Sequence, residues 1–172
     1  MEPHSTFQPN QLHATQPEVT IGFTGTSHGM TSAQLATVRD LLCRWHVQEL
    51  HHGNCVGADA QAAVIAKELK IRTIAHPAND VAECFRRYTE ADEIRPARPA
   101  LKRNRDIAAA GQLTIATPKE NVELRRSGTW STVRYTAQAG RPCYIVFPDG
   151  SIQVRKPKSL AERRELMDKL FA

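Results

Sequence analysis

The chain has 172 residues, of which 41% are hydrophobic, and this length suits one domain around a single sizeable core. The formal charge of +5 weakly favours partners that carry phosphate. The start is polar and contains proline, and no apolar run approaches about 18 residues, which disfavours a signal peptide and a membrane span. These features predict a cytoplasmic protein with no membrane partner.

Metal and disulfide chemistry are not indicated. The chain has four widely separated cysteines with no CxxC pair: Cys43, Cys55, Cys84 and Cys143. This spacing matches neither a zinc site nor a disulfide framework. His28, His51 and His52 have no carboxylate or cysteine at ligand spacing, which favours a structural role over metal binding or catalysis. We therefore predict no metal and no resident cofactor.

In chain order, residues 1–17 lack periodicity and predict a flexible arm, whereas residues 18–172 predict a single domain. Five β-rich runs predict strands over Val19–Phe23, Val47–His51, Ile71–Ala75, Gln112–Thr117 and Pro142–Phe147. Helical spacing predicts helices from a cap at Thr31 or Ser32 to Trp45, and over Ala60–Leu69, Lys102–Ala110 and Trp130–Ala139. Less regular patterns suggest a short helix over Val81–Tyr88, an edge strand over Ser151–Val154 and a charged helix over Ser159–Phe171.

Repeated strand, loop and helix units imply right-handed crossovers and a parallel sheet. The expected fold is an α/β, Rossmann-like, doubly wound parallel sheet of about five strands with helices on both faces. In such sheets, ligands bind outside the carboxyl ends of the strands.

Three small-residue loops fall at those ends: Gly25-Thr26-Ser27, Gly57-Ala58-Asp59 and Ser127-Gly128-Thr129. Small residues let a phosphate approach backbone N–H groups, and the start of a helix adds partial positive charge. One such loop is common for structural reasons alone, but three together favour a phosphate site. None is a Walker A motif or a GxGxxG fingerprint, which disfavours kinases, P-loop NTPases and standard NAD dehydrogenases.

Three polar residues near these loops allow two interpretations. Arg103 suits a phosphate or carboxylate, and Asn104 suits a ribose hydroxyl or a brace for a loop. Both also fit a solvated basic helix face. Asp59 suits either ribose hydroxyls or the dipole at the start of a helix.

The order of the motifs GFTGTS, GNCVGAD, RN and SGTW resembles that of the SLOG superfamily of Rossmann-like domains. This superfamily includes phosphoribohydrolases that resemble lysine decarboxylases, DNA processing protein A and small nucleotide sensors, and the resemblance covers about Val19–Phe147. It implies that residues 127–129 hold a phosphate, residues 25–27 flank it and residues 57–59 close the far side. It also places Arg103 and Asn104 at the family's RN position.

The sequence departs from the hydrolase pattern at one position that matters for catalysis. The hydrolases read PGGxGTxxE, and Thr132 stands in place of the glutamate. A neutral hydroxyl cannot activate water or stabilise an oxocarbenium-like centre as a carboxylate does. Glu120 and Glu123 in the preceding loop are alternative acids, so the catalytic residues are unknown.

Three functions follow as hypotheses. The leading one is a module that binds a nucleotide or nucleotide-derived ligand, as a sensor or scavenger. The second is a nucleoside-phosphate N-glycosidase. The third is weak binding of single-stranded nucleic acid through basic clusters, which are Arg86-Arg87, Lys102-Arg103-Arg105, Arg125-Arg126 and Arg155-Lys156-Lys158. The sequence does not decide between a monomer and a homo-oligomer.

Overall fold

The computed structural model describes residues 18–82, 85, 90–157 and 159. The predicted arm over residues 1–17 and nearly all of the predicted C-terminal helix lie outside these residues. So does most of the predicted short helix over Val81–Tyr88.

Seven strands and four helices make up the described chain. The strands are β1 (Val19–Gly25), β2 (Val47–His52), β3 (Arg72–Ala75), β4 (Glu93–Ile94), β5 (Leu113–Thr117), β6 (Cys143–Val146) and β7 (Ile152–Arg155). The helices are α1 (Ser32–Arg44), α2 (Ala58–Glu68), α3 (Ala100–Ala110) and α4 (Gly128–Gln138). The predicted fold class is confirmed, and the predicted edge strand over Ser151–Val154 is present as β7. Strand β4, at the opposite edge of the sheet, was not predicted.

The strands form one sheet in the order β4-β3-β2-β1-β5-β6-β7. Strands β1 to β6 pair in parallel, and β7 returns antiparallel to β6 after a turn through Pro148-Asp149-Gly150. From β1 the chain first builds outward through β2, β3 and β4, and then crosses back to place β5 on the other side of β1. The strand order therefore reverses between β1 and β5.

Helices cover both faces of the sheet, and successive residues of the central strand β1 face opposite sides of it. Ile21 and Phe23 are fully buried in the core that includes apolar residues of α1 and α2. Gly22 faces the opposite side, where a β-carbon would lie 2.8 Å from the backbone oxygen of Ile107 in α3. The glycine thus allows α3 to pack directly against the central strand.

Helix α1 begins at the predicted cap. Thr31 accepts a hydrogen bond from the backbone N–H of Gln34, and the Gln34 side chain accepts one from the Thr31 N–H, which completes a capping box. The Gln34 amide also donates to the backbone oxygens of Pro118 and Val146, each at 2.9 Å. This buried side chain therefore ties the start of α1 to the ends of β5 and β6.

Alternate residues on the other face of β2 and β3 are polar. Glu49 and His51 alternate with the buried Leu50, and Arg72 pairs with Glu49 across the strands. Helix α3 packs on β1 and β2, whereas β3 packs on α2 at the opposite face of the sheet. The sheet beside α3 therefore carries charged side chains.

No helix in the described part of the chain combines the length and apolar character needed to cross a bilayer.

Candidate functional site

In a doubly wound sheet, ligands bind outside the carboxyl ends of the strands at which the strand order reverses, and here these strands are β1 and β5. Gly25 ends β1 and Thr117 ends β5, and these two residues are register partners in the sheet. The loop that follows β1 returns to the sheet edge, since the N–H of Thr26 donates to the Thr117 oxygen at 3.1 Å. Loops from both halves of the sheet thus meet at this edge.

The first two small-residue loops touch directly. A β-carbon on Gly25 would collide with the side chains of Thr117 and Ala58. Gly57 has φ of +82°, and a β-carbon there would collide with the backbone oxygens of Thr26 and Ser27. The N–H of Ala58 donates to the Thr26 oxygen at 2.9 Å. Both glycines are therefore required for the loop after β1 to lie against the start of α2.

Asp59 and Arg103 lie inside the protein, at 5% and 6% exposure. Arg103 donates to the backbone oxygens of Gly53 and His76, the latter at 2.9 Å. The backbone N–H of Cys55 donates to Asp59 at 3.2 Å, and a β-carbon on Gly53 would collide with both charged side chains. Burial raises the pKa of Asp59 to about 6, against the opposing charge of Arg103. This pair holds the loop after β2 in place.

Asn104 connects that buried pair to the third loop. Its side-chain oxygen accepts from Nε of Arg103 at 2.9 Å, and its amide N–H donates to the Gly128 oxygen at 3.4 Å. Of the two roles considered for Asn104, the brace is the one these contacts describe. Arg103 and Asn104 form a relay of hydrogen bonds from the loop after β2 to the start of α4.

The start of α4 opens to solvent. Ser127 caps the helix by accepting from the Trp130 N–H at 3.4 Å, and Gly128 is exposed. Nothing lies within 4 Å of the position that a β-carbon on Gly128 would occupy. Thr129, the next residue, is buried at 7% exposure.

Thr132 does not reach this opening. It is fully buried, and its hydroxyl donates to the Gly128 oxygen at 3.2 Å. In the preceding loop, Glu123 accepts from Arg134 at 2.9 Å and from Arg155 at 2.7 Å. The Arg155 hydrogen bond, and then that of Arg134, hold the pKa of Glu123 below its ordinary value although burial opposes them. Glu123 therefore acts as a fixed anchor for this loop.

A second cluster, which the sequence analysis missed, lies on β2 and just after β3. His51 contacts the Glu49 carboxylate through Nε2 and His76 through Nδ1, each at 2.8 Å. A cleft of about 380 Å³ opens beside this cluster. Its lining residues are His51, His76, Arg95, Pro96, Arg98, Arg103, Asp106 and Ala110.

The sequence analysis found no carboxylate at ligand spacing for His51, but the structure gives this histidine a hydrogen-bonded carboxylate in Glu49. Residues two apart on a strand share a face, so Glu49 lies beside His51. That spacing was the available signal in the sequence. His76 appears in the sequence only as the residue that ends a strand, and nothing local places it against His51.

The structure separates the predicted site residues into three groups. Residues 25–27, in the loop after β1, pack against residues 57–58 at the start of α2. Asp59, Arg103 and Asn104 form the buried brace, and residues 127–129 form the open start of α4. Arg103 also lines the cleft that opens beside His51 and His76, next to α3.

No family model matches the chain, and no curated protein matches it. Among solved structures, the molybdenum cofactor binding protein from the phototrophic bacterium Rippkaea orientalis is similar at a TM-score of 0.59 and 16% identity, covering 90% of this chain and 98% of that chain. DNA processing protein A from Streptococcus pneumoniae is similar at a TM-score of 0.50 and 17% identity, covering 87% of this chain and 56% of that chain. These likenesses show a shared Rossmann-like α/β fold. At 16% and 17% identity, both likenesses are likenesses of fold alone.

Proposed function

We propose that this protein binds a small phosphate-bearing ligand, a nucleotide or a compound derived from one, in the crevice between the carboxyl ends of β1 and β5. The observation that carries the proposal is the exposed Gly128 at the start of α4, with open space where a side chain would stand. A phosphate placed there meets backbone N–H groups and the positive end of the helix dipole.

Charge near this opening supports an anionic ligand. Arg125 and Arg126 are exposed immediately before Ser127. The loop that carries them is held by Arg134, which donates to the Arg125 oxygen at 3.1 Å and to Glu123. The two arginines therefore project from an anchored backbone, which lowers the entropic cost of binding.

The buried brace supports the same proposal. Asn104 holds the Gly128 oxygen, so that the start of α4 keeps its position relative to the loop after β2. A phosphate site made of backbone groups depends on such support, because small displacements weaken its hydrogen bonds.

Binding without turnover is favoured over cleavage of an N-glycosidic bond. The buried Thr132 occupies the position of the hydrolase acid, and Glu123 is engaged by two arginines. Glu120 is left as the loop carboxylate on which the N-glycosidase alternative depends. Groups that hold a phosphate stabilise substrate and transition state alike, and so provide affinity without much rate.

The solved structures suggest which ligands to test. The similar protein from Rippkaea orientalis is described as binding the molybdenum cofactor, so this cofactor joins nucleotides in the panel. Mass spectrometry of small molecules released from the purified protein would narrow the choice of ligand.

Replacing Gly128 with valine tests the proposal. Valine would project into the open space and should weaken binding of nucleoside monophosphates at least about tenfold, or roughly 1.4 kcal/mol. The fold should tolerate the change because nothing lies within 4 Å of the new β-carbon. Isothermal titration calorimetry on the full chain measures the affinity.

Ala36→Val provides the matched control, since Ala36 is an exposed residue of α1. It should bind as the parent does. A folded Gly128→Val protein with the parent's affinity would overturn the proposal, and so would a parent protein that binds no member of the panel.

A further inference from the structure

The cleft beside α3 is lined by residues of β2 and α3 and by His76, Arg95, Pro96 and Arg98, rather than by the small-residue loops. We propose that it is a second binding site, which takes a small oxyanion of the phosphate class with Arg95 and Arg98 as positive partners and Nδ1 of His76 as a hydrogen-bond acceptor. Its volume of about 380 Å³ lies within the range of small-molecule sites.

The hydrogen bonds among Glu49, His51 and His76 determine which ring nitrogens carry protons. Burial favours a higher pKa for Glu49, but hydrogen bonds from His51 and Arg72 outweigh it and hold the pKa below its ordinary value. Glu49 is therefore an ionised acceptor, to which Nε2 of His51 donates. In neutral His51, Nδ1 then accepts, so Nε2 of His76 donates to it.

This assignment leaves Nδ1 of His76 as an acceptor with a lone pair. Among the described residues, none forms a hydrogen bond with this atom, and it is not a buried orphan. Because His76 lines the cleft, Nδ1 is available to a ligand there. A ligand that complements it supplies a donor, such as the P–OH of a singly protonated phosphate.

Arg95 and Arg98 retain N–H groups for the other oxygens. The ion pair of Arg95 with Glu93 uses Nε at 2.9 Å. Arg98 meets Asp106 through Nη1 alone, at 2.8 and 3.0 Å. A guanidinium has five N–H donors, so both side chains keep donors that these carboxylates do not engage. Each side chain is half-exposed, at 50% and 51%, and can turn toward a ligand.

The electrostatic balance also favours an anion. Burial, followed by the charges of His51 and Arg95, lowers the pKa of His76 to about 3. An anion in the cleft would offset the positive charge of Arg95 and raise the pKa of His76. Besides His76, the ionisable groups that line the cleft are His51, Arg95, Arg98, Arg103 and Asp106. Those that act on its two histidines or on their partner Glu49 are Glu49, His52, Arg72 and Glu93.

Histidine-selective NMR on the full chain tests the proposal, with the His76 signal assigned from His76→Gln. Inorganic phosphate is titrated at constant ionic strength against chloride. We expect saturable shifts at His76, and a higher pKa for His76 in phosphate than in chloride. Arg95→Gln and Arg98→Gln should each weaken phosphate binding about tenfold, since each removes a charged donor.

Arg39→Gln is the matched control, because Arg39 is a half-exposed arginine paired with Glu68 on α1 and α2. It should keep the parent's affinity for phosphate. Adenosine monophosphate forms a second arm: saturable shifts at His76 that persist in Gly128→Val assign a phosphate monoester to this cleft rather than to the β1–β5 crevice. If adenosine monophosphate causes no shift at His76 while inorganic phosphate does, the site takes the free anion.

The proposal is overturned if His76 shows no saturable response to phosphate. It is also overturned if Arg95→Gln and Arg98→Gln respond as the parent does, or if Arg39→Gln loses as much affinity as they do. None of these outcomes depends on binding at Gly128, so the proposed function and this inference fail separately.

Discussion

His51 and His76 are buried imidazoles, and burial is the main reason why the pKa of each lies below its ordinary value. A histidine with a lowered pKa binds fewer protons when folded than when unfolded. Its contribution to stability is therefore complete above the unfolded pKa of about 6.5, and it is lost as the pH falls toward the folded pKa, about 3 for His76.

Replacing His76 with glutamine should remove part of this pH dependence. The free energy of unfolding should fall between pH 7 and pH 4.5 by about 2 to 3 kcal/mol more in the parent than in His76→Gln. Asp59 has a raised pKa, so its effect on the pH dependence of stability has the opposite sign. It is present in both proteins, and its effect cancels from the difference. Urea titrations at the two pH values measure the effect.

His28→Gln is the control for this comparison, because His28 is exposed. It should retain the parent's pH dependence. Equal pH dependence in the parent and His76→Gln would mean that the folded protein accommodates a charged imidazole at position 76.

At the residue scale, sequence shows which side chains are polar but not where they point. Arg103 and Asn104 lie within one basic run with Arg105, yet the first two are buried and Arg105 is exposed, 4.8 Å from the centre of the Tyr135 ring. Their orientations follow from which turn of α3 meets the sheet. That contact depends on Gly22, far away in the chain.

At the scale of elements, the start of α4 contains the loop that the proposed site depends on. The capping serine, the open glycine and the buried threonines follow one another within a turn and a half. The helix therefore begins with an exposed glycine and continues with threonines that are buried in the protein. Thr136 continues this pattern: its hydroxyl donates to the Thr132 oxygen and accepts from the hydroxyl of Thr114, each at 2.9 Å.

Restoring the hydrolase acid at position 132 should therefore destabilise the protein. A glutamate there would be buried in place of a fully buried hydroxyl, and we expect Thr132→Glu to cost at least about 2 kcal/mol of unfolding free energy. Thr132→Ser keeps the hydroxyl and should cost less than about 1 kcal/mol. Urea titration compares both with the parent. A Thr132→Glu protein as stable as the parent would mean that this side chain reaches the crevice after all.

The four helices and every strand of four or more residues were predictable, and the two-residue strand β4 was not. Helix α1 begins at its predicted cap, and β1, β2 and β5 begin or end within two residues of the predicted bounds. Strand β4 spans two residues, too few to show any alternation. It exists because Glu93 and Ile94 pair with β3, which is a long-range contact that local sequence does not encode.

At the scale of the whole molecule, the positive charge is dispersed. Of the basic clusters in the described chain, Arg103 is buried, Arg105 lies over Tyr135 and Arg155 is paired with Glu123. Arg125 and Arg126 are exposed just before the start of α4, and Lys102 and Lys156 are exposed elsewhere. The likeness to DNA processing protein A concerns the fold alone, so it is not evidence for a DNA-binding groove in this chain.

We therefore expect weak, salt-sensitive binding of single-stranded DNA. Two or three phosphate contacts predict a loss of about tenfold in affinity between 50 and 200 mM salt. Fluorescence anisotropy with a labelled oligothymidine measures it, and Arg125→Gln with Arg126→Gln should weaken it further. Tight binding that resists salt would instead favour a nucleic-acid function over small-ligand binding.

The adjacency of β1 and β5 also has a kinetic consequence. These neighbours in the sheet are the first and fifth strands of the chain, and the Gly25–Thr117 register joins residues separated by most of the domain. Contacts so distant in sequence form slowly, because the intervening chain must first lose its entropy. The crevice therefore does not exist until the two halves of the sheet have joined. During refolding, ligand affinity should appear only with that last pairing, so a fluorescent ligand would report completed folding rather than early collapse.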